Sequence, residues 1–274
     1  MTTAPANRIS ANYYLAPAGT GIGQFMGWAK AAGASGIGLT IAALSQHNPD
    51  ELKTMAADHG LFISTLNSAG YFLYPPGDQR YLQDKLNCSL IDAAARMGAG
   101  RLVVIAGGTQ GSGLTLEAAR ASVAEQLGAL DKKAAEAGIR LALEPIHPVD
   151  LLIKGCVNSL AQAAEMVRSL PSTDVMIDTI HSAWDPDIWR LPQVLGDKLA
   201  VVQVCNWYEP SPEEKPLRDV PSTGEMDMAG WLRALLAGGY TGPIEFEMFD
   251  KHRRDRGVQD ILNEAIGDLR AMVS

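Results

Sequence analysis

Short apolar runs rich in β-branched residues alternate along the chain with longer alanine- and leucine-rich segments of helical periodicity. Eight of these runs have the length and composition of buried strands, at residues 9–15, 36–41, 61–66, 101–106, 139–145, 174–178, 199–205 and 243–248. Helices are predicted near residues 21–33, 49–59, 80–97, 115–137, 158–169, 187–196, 228–237 and 258–272. The dominant signal is a strand followed by a helix, repeated along the whole chain.

Eight such units in 274 residues predict an α/β fold, a (β/α)8 TIM barrel formed by a single domain over residues 1–274. The alternative is an open doubly wound sheet, which would carry a glycine-rich phosphate loop after the first strand. Residues 18–23 lie at that place, but their glycines do not have the GxGxxG spacing, so the closed barrel is favoured. The longest irregular stretch, residues 206–226, follows the seventh strand and is interpreted as an active-site loop.

Charge and composition narrow the classes of function. The chain has 31 acidic and 23 basic residues, a formal net charge of −8, which argues against a nucleic-acid partner. It lacks a run of about 18 apolar residues, which argues against a membrane partner, and its first residues lack the pattern of a secretory signal. The three cysteines form no CxxC pair, so we expect a cytoplasmic protein without a disulfide framework.

Residues with ligating oxygen atoms end four consecutive predicted strands, namely Glu144, Asp178, Gln203 and Glu247. The chemistry of a barrel lies at the C-terminal ends of its strands, so these side chains are expected to meet at one rim. Converging carboxylates repel one another unless a cation lies among them. Glu245 has the parity of Glu247 but lies about 7 Å deeper in the barrel. The eighth strand therefore supplies Glu245 or Glu247, and Glu247 is favoured because it is nearer to the rim.

Five sequence motifs surround these positions in chain order: Leu-Glu-Pro-Ile-His-Pro at Glu144, Asp-Thr-Ile-His from Asp178 to His181, Val-Val-Gln-Val-Cys at Gln203, Leu-Arg-Asp-Val-Pro-Ser-Thr-Gly-Glu at Arg218, and Gly-Pro-Ile-Glu-Phe-Glu-Met-Phe at Glu247. Together they resemble the sugar phosphate isomerase/epimerase superfamily, the xylose isomerase-like barrels. The resemblance implies one divalent metal bound by Glu144, Asp178, Gln203 and Glu247, with His181 and Arg218 in contact with the substrate. Ketose 3-epimerases of this superfamily have histidine where Gln203 stands, whereas its hydroxypyruvate isomerases have glutamine.

Three carboxylates and an amide form an all-oxygen ligand set, which favours Mn²⁺ or Mg²⁺, is compatible with Co²⁺ and disfavours Zn²⁺. Such a cation polarises a carbonyl and stabilises an enediolate. With Glu144 and Glu247 on opposite sides of the reacting carbon, one would remove a proton and the other return one. The resulting hypothesis is a metal-dependent isomerase or epimerase acting on a ketose, keto acid or related polyol.

Three further residues are candidates for substrate contacts. His147, between two prolines, is either a general base or substrate contact at the barrel mouth, or a loop histidine that caps backbone groups. Trp207 is a candidate wall for the apolar C–H face of a sugar, with packing as the alternative. Asn67, at the end of the third strand, is a candidate donor to a substrate hydroxyl.

Other functions remain as alternatives at this point. A lyase or dehydratase acting on a cyclitol or keto-sugar, with specificity like that of an inosose or dehydroshikimate dehydratase or of an enzyme that cleaves keto-glycosides, would share the metal and the enolate step. His147 or His181 would then serve as its acid. An apurinic endonuclease of the same superfamily needs additional histidines that strands three and four do not supply, and a non-catalytic binding protein would not be expected to keep all four ligand positions. A small carbohydrate-like substrate is expected, its phosphorylation is open, and a homo-oligomer is expected only by analogy with relatives.

Overall fold

Eight parallel strands close into a barrel in the computed structural model, which describes residues 4–209, 211 and 214–274. Around the barrel the order is β1, β2, β3, β4, β5, β6, β7, β10 and back to β1. Their ranges, with those of the two hairpin strands inserted after β7, are β1 Ile9–Asn12, β2 Gly36–Thr40, β3 Phe62–Gly70, β4 Arg101–Ile105, β5 Leu141–Glu144, β6 Thr173–Asp178, β7 Leu199–Val204, β8 Asn206–Tyr208, β9 Leu217–Asp219 and β10 Ile244–Phe246. The predicted (β/α)8 TIM barrel is confirmed.

Helices follow the strands, and the longer ones form the outer ring of the barrel. Their ranges are α1 Ile22–Ala31, α2 Ile41–Leu44, α3 Pro49–Asp58, α4 Asp78–Met97, α5 Leu116–Glu136, α6 Leu160–Val167, α7 Thr179–Ser182, α8 Leu191–Leu195, α9 Met228–Ala237 and α10 Val258–Met272. The helix predicted over residues 187–196 divides into a 3₁₀ segment, Pro186–Arg190, and the short α8. Pro192 explains the break, because it lacks an amide hydrogen and occupies the first turn of the second piece. None of the helices in the described ranges is long and apolar enough to span a bilayer.

The barrel interior has two different halves. On the side of β4 to β7, five small or flexible apolar side chains form a cluster separate from the main core: Val103, Ala142, Met176, Ala200 and Val201. On the side of β1, β2, β3 and β10, the interior is polar and is filled by buried side chains such as Asn12, Thr65 and Glu245. Three residues of this cluster lie two positions before Glu144, Asp178 and Gln203, and residues two apart on a strand face the same side. The strands β5, β6 and β7 therefore direct these three polar side chains into the barrel mouth.

The segment predicted as an active-site loop, residues 206–226, contains the antiparallel pair β8 and β9. Trp207 lies opposite Arg218 in this hairpin, so the hairpin fixes both residues relative to β7. Asn206 anchors its base, because the side-chain nitrogen donates to Pro221 and Met226 at 3.1 and 3.0 Å. Residues 210, 212 and 213 of the predicted loop lie outside the described residues.

Candidate active site

The four predicted ligand residues lie at the C-terminal ends of β5, β6, β7 and β10. Glu144 and Asp178 are the last residues of β5 and β6, and Asp178 lies beside Gln203 in the sheet. Glu247 follows β10 and donates its backbone N–H to Val204 at 3.1 Å. All four side chains are buried. Three carboxylates in a water-poor environment require compensation by a cation or by protonation.

Glu144, Asp178 and His181 form the tightest part of the cluster, with one ligand atom of each within 4.8 Å of the others. The His181 Nε2 atom is 3.9 Å from a Glu144 oxygen and 4.0 Å from an Asp178 oxygen. Asp178 also caps the helical turn α7, since its side chain accepts a hydrogen bond from the backbone N–H of Ile180 at 3.2 Å. The cap turns the chain so that a histidine three residues after the aspartate returns to the site.

Arg218 reaches this cluster from the hairpin. Its two terminal nitrogens donate to the two oxygens of Asp178 at 3.1 and 2.6 Å, and one of them lies 3.4 Å from a Glu247 oxygen. Burial alone would raise the pKa of Asp178, but the charge of Arg218 lowers it below its ordinary value. The Phe249 ring lies 4.8 Å from the guanidinium carbon and covers it. Arg218 therefore ties Asp178 to Glu247.

The two glutamates of the site are held in a more protonated condition than exposed carboxyl groups. Burial is the main cause that raises the pKa of Glu144 to about 7, with Asp178 adding to it and Lys154 opposing it. Burial also raises the pKa of Glu247 well above its ordinary value, and Asp178 and Glu144 reinforce the shift. One buried oxygen of Glu247, Oε2, has no hydrogen-bond partner in the described part of the chain. An unpartnered buried carboxylate oxygen is unusual in a folded protein and is compatible with a bound ion or proton at that position.

Gln203 is held from below by Glu245. The Gln203 amide nitrogen donates to Glu245 Oε1 at 2.8 Å and to Asn67 Oδ1 at 3.4 Å. Asn12 and Thr65 also donate to Glu245 Oε1, at 2.7 and 3.0 Å, and Ser64 donates to Glu245 Oε2. Glu245 is therefore enclosed by donors inside the barrel. The sequence left two glutamates open as the ligand from the last barrel strand, β10. Glu247 is the one beside Arg218 and Asp178, whereas Glu245 supports Gln203.

Asn67 is part of the same network. Its amide nitrogen donates to the carbonyl of Leu39 at 3.2 Å and to the hydroxyl of Thr65 at 2.9 Å. Its side chain is buried. Both amide hydrogens are used inside the barrel, so contact with a substrate hydroxyl would require one of these bonds to be exchanged.

His147 and Trp207 lie on a cavity of about 320 Å³ beside the cluster, which His181, Trp184 and Lys215 also line. The His147 Nδ1 atom accepts a hydrogen bond from the backbone N–H of Val149 at 3.1 Å, and burial lowers the pKa of this imidazole. His147 therefore caps a backbone group, as one of the two alternatives predicted, and also lines the cavity, whereas its role as a base or substrate contact stays a prediction. Trp207 is half-buried and forms part of the wall.

Sequence reasoning missed Lys154 and Tyr14. The Lys154 ammonium lies 2.8 Å from the His181 Nε2 atom. Tyr14 packs edge-on against Phe249 at 5.0 Å, and burial, followed by the proximity of Glu247, raises the pKa of its hydroxyl. The available signal for Lys154 was a single charged residue in the otherwise apolar segment Leu151-Leu152-Ile153-Lys154-Gly155.

The arginines of the basic segment after β10 form ion pairs within the protein. Arg254 and Arg256 form ion pairs with Asp219 at 2.8 and 3.1 Å, and Arg253 pairs with Asp250 at 2.6 Å. The sequence left phosphorylation of the substrate open, and these pairs commit the three arginines to carboxylates of the protein.

The sequence model of one protein family, described as the xylose isomerase-like TIM barrel, matches residues 26–270. The chain belongs to this family. The family includes isomerases, epimerases and dehydratases. A curated relative, 3-dehydroshikimate dehydratase from Pseudomonas putida, is 31% identical over 141 residues, which is 46% of this chain and 20% of that protein. The match thus spans about a fifth of the length of the relative.

Solved structures of other proteins share the fold. A protein from Sinorhizobium meliloti has a TM-score of 0.86 at 26% identity, covering 97% of this chain and 98% of its own. The IOLI protein, solved with a zinc atom, has a TM-score of 0.81 at 18% identity and coverage of 97% and 98%. The 3-keto-D-glucoside 4-epimerase of E. coli has a TM-score of 0.77 at 20% identity and coverage of 96% and 99%. The last two likenesses concern the fold alone.

Proposed function

We propose that this chain is a divalent-metal-dependent isomerase or epimerase that moves a proton at the carbon beside the carbonyl of a ketose, keto acid or related polyol. The observation that carries this proposal is the convergence of Glu144, Asp178 and Glu247, three buried carboxylates at neighbouring strand ends, with one Glu247 oxygen unpartnered. The carbohydrate-active relatives in the family support a small carbohydrate-like substrate.

The residues fit a divalent cation. Glu144, Asp178, Gln203 and Glu247 would hold it through oxygen atoms, a set that favours Mn²⁺ or Mg²⁺ over Zn²⁺. Arg218 already donates to both Asp178 oxygens, but each carboxylate oxygen has a second lone pair. The His181 nitrogen nearest the cluster is engaged by Lys154, which disfavours it as an additional ligand. When bound, the cation polarises the substrate carbonyl and acidifies the neighbouring C–H.

The protein residues account for the proton transfer. Glu144 and Glu247 come from strands on different sides of β6 and β7, so they can address the reacting carbon from two directions. One removes the proton as a carboxylate while the other supplies a proton as a carboxylic acid. Arg218 keeps Asp178 ionised and Trp207 provides an apolar wall for the substrate. His181, which lines the cavity, and Arg218 would contact substrate oxygens.

A dehydratase is the second candidate, and the match to 3-dehydroshikimate dehydratase favours it. The same proton would be removed, but a β-hydroxyl would leave as water instead of a proton returning to carbon. His147 faces the cavity and is the candidate acid for that departure. Loss of 18 mass units from the substrate would identify the dehydratase, whereas deuterium incorporation without mass loss in D₂O identifies the isomerase or epimerase.

The first experiment is metal stoichiometry. Protein treated with EDTA and refilled with Mn²⁺ is expected to hold one ion per chain and to melt at a higher temperature. Glu247→Gln should remove both effects, whereas Glu165→Gln, on the outer surface of α6, should keep them. Exchange of the substrate α-proton with D₂O is then expected from the wild type and lost in Glu144→Gln. Wild-type protein that binds no Mn²⁺, Mg²⁺, Co²⁺ or Zn²⁺ would refute the proposal.

A further inference from the structure

Lys154 is held at the barrel mouth by its backbone. Its loop is bonded to the loop after β4, where the N–H groups of Thr109 and Gln110 donate to the carbonyls of Leu151 and Leu152 at 3.2 and 2.9 Å. The N–H of Cys156 donates in turn to Gly107 at 3.1 Å. Lys154 lies between these two attachments, so its position is set by the docking of the two loops.

The ammonium of Lys154 has a neutral partner. It lies 2.8 Å from Nε2 of His181. Because an ammonium can only donate hydrogen bonds, Nε2 is unprotonated and accepts one from the lysine. By contrast, Arg218 pairs with Asp178 and Lys215 pairs with Asp150. In the described ranges no carboxylate oxygen lies within 4 Å of the Lys154 nitrogen.

The Lys154 ammonium lies beside the proposed proton-transfer site. Its partner atom, Nε2 of His181, is 3.9 Å from a Glu144 oxygen, and His181 also lines the cavity. An ammonium has three hydrogens, and His181 uses one of them. Two donors and a full positive charge therefore remain beside the proposed proton-transfer groups. Desolvated ammonium groups bind carboxylates through short, charge-assisted hydrogen bonds.

We propose that Lys154 binds a carboxylate of the substrate, so that the enzyme acts on a hydroxyketone that carries a permanent negative charge rather than on a neutral sugar. This inference rests on the proposed function and narrows its substrate class. The carboxylate accepts hydrogen bonds from the two remaining donors of Lys154, while the bond to His181 keeps the ammonium in place. Lys154 is then a specificity residue whose contribution is made in the ground state as well as in the transition state.

The test compares charged and neutral probes in four proteins: wild type, Lys154→Met, Lys154→Arg and the surface control Lys132→Met. The charged probes are hydroxypyruvate and 3-dehydroshikimate, and the neutral probes are D-psicose and the methyl ester of 3-dehydroshikimate. Each is assayed with Mn²⁺ for deuterium incorporation and for loss of water. Binding of shikimate and methyl shikimate to the EDTA-treated proteins is measured by calorimetry, independently of turnover.

The wild type is expected to prefer the charged member of a pair. Lys154→Met should raise KM and the shikimate dissociation constant about tenfold or more, the loss of one charge-assisted hydrogen bond, with kcat within about threefold. Lys154→Arg should recover most of the binding and Lys132→Met should equal the wild type. Equal use of neutral probes, a loss in kcat with KM unchanged, or equal binding of shikimate and its ester would overturn the inference. Absence of Mn²⁺ binding and of proton exchange would instead refute the proposed function.

Discussion

Gln203 donates its amide nitrogen to the carboxylate of Glu245 at 2.8 Å in the barrel interior. Both oxygens of Glu245 accept hydrogen bonds, so the amide cannot turn its oxygen toward Glu245 without losing this bond. Asn67 presents a second acceptor to the same nitrogen, because its own nitrogen is committed to Leu39 and Thr65. The Gln203 oxygen is thereby left for the opposite side, where the proposed metal would bind.

Exchanging the amide of Gln203 with the carboxylate of Glu245 should therefore preserve the metal site. Glu245→Gln alone is expected to weaken Mn²⁺ binding about 10- to 100-fold, the usual cost of losing a group that orients a ligand. The double variant Q203E/E245Q reverses the direction of the hydrogen bond and should bring the affinity back to within about tenfold of the wild type. Calorimetric titration of the EDTA-treated proteins with Mn²⁺ measures this affinity.

Ser64→Ala is the matched control for this exchange. It removes a donor to Glu245 but leaves the bond to Gln203 intact. Its Mn²⁺ affinity should equal that of the wild type even where its free energy of unfolding falls. If Glu245→Gln bound Mn²⁺ as tightly as the wild type, Glu245 would have no orienting role.

Arg218 should be required for the folded state as well as for the chemistry. Arg218→Met leaves Asp178 buried without its partner, which is expected to lower the free energy of unfolding by about 3–5 kcal/mol. Adding Asp178→Asn removes the unpaired charge and should recover part of that loss. The surface pair of Arg168 and Glu165 supplies the contrast, since Arg168→Met should cost less than about 1 kcal/mol. Urea unfolding of the variants measures these differences, and an additive double variant would contradict the pairing.

Glu144 gives the EDTA-treated protein a specific pH dependence. Its pKa is about 7 in the folded chain and 4.5 as an ordinary carboxyl, so between these values the folded state binds more protons than the unfolded state. The free energy of unfolding must therefore fall as pH rises from 4.5 through 7. Between pH 5 and pH 8 the wild type should lose about 2 kcal/mol more than Glu144→Gln.

Urea unfolding of both proteins at pH 5, 6.5 and 8 checks this expectation. His181, whose folded pKa is about 3, contributes in the opposite direction, because stability falls as pH drops below its ordinary value of 6.5. That contribution is present in both proteins and largely cancels in the comparison. Parallel pH profiles for the wild type and Glu144→Gln would show that Glu144 titrates as an exposed carboxyl.

Gly108 controls the attachment of the Lys154 loop. A Cβ at Gly108 would lie 2.2 Å from the carbonyl oxygen of Leu152, so alanine there forces the two loops apart. Gly108→Ala is expected to cost about 1–3 kcal/mol of stability and to reduce shikimate binding as Lys154→Met does. Gly128→Ala on α5, where the nearest atom is 3.9 Å away, should instead stabilise the protein by up to about 1 kcal/mol. Thermal and urea unfolding, together with the binding titration, distinguish these outcomes.

The fold and the strand-end residues were accessible from the sequence because they depend on local signals. Apolar runs, caps such as Asn48 with Glu51, and the parity of residues along a strand are all properties of neighbouring positions. Parity also placed Glu245 below Glu247. What parity could not give was the partner of Glu245, because that depends on the register between β7 and β10, which sets Gln203 opposite it.

The features of the site that the sequence did not reveal are those created by contacts between distant segments. Lys154 reaches His181 only because its loop docks on Gly107 and Gly108, and nothing in the pattern around position 154 encodes that docking. Similarly, the family resemblance assigned Arg218 to the substrate, whereas the structure pairs it with Asp178. A guanidinium can serve both, but the sequence alone does not reveal the internal partner.

The acceptor beneath Gln203 has an implication for how this ligand position can change during evolution. Histidine, which ketose 3-epimerases carry there, also ends in an N–H that requires an acceptor when its other nitrogen binds a metal. Glu245, fixed by Asn12, Thr65 and Ser64, offers an acceptor of that kind without rearrangement. A single codon change at position 203 would thus replace an oxygen ligand with a nitrogen ligand while Glu245 and its hydrogen-bond donors stay the same. We expect the preferred metal to change readily among related proteins while these interior residues are retained.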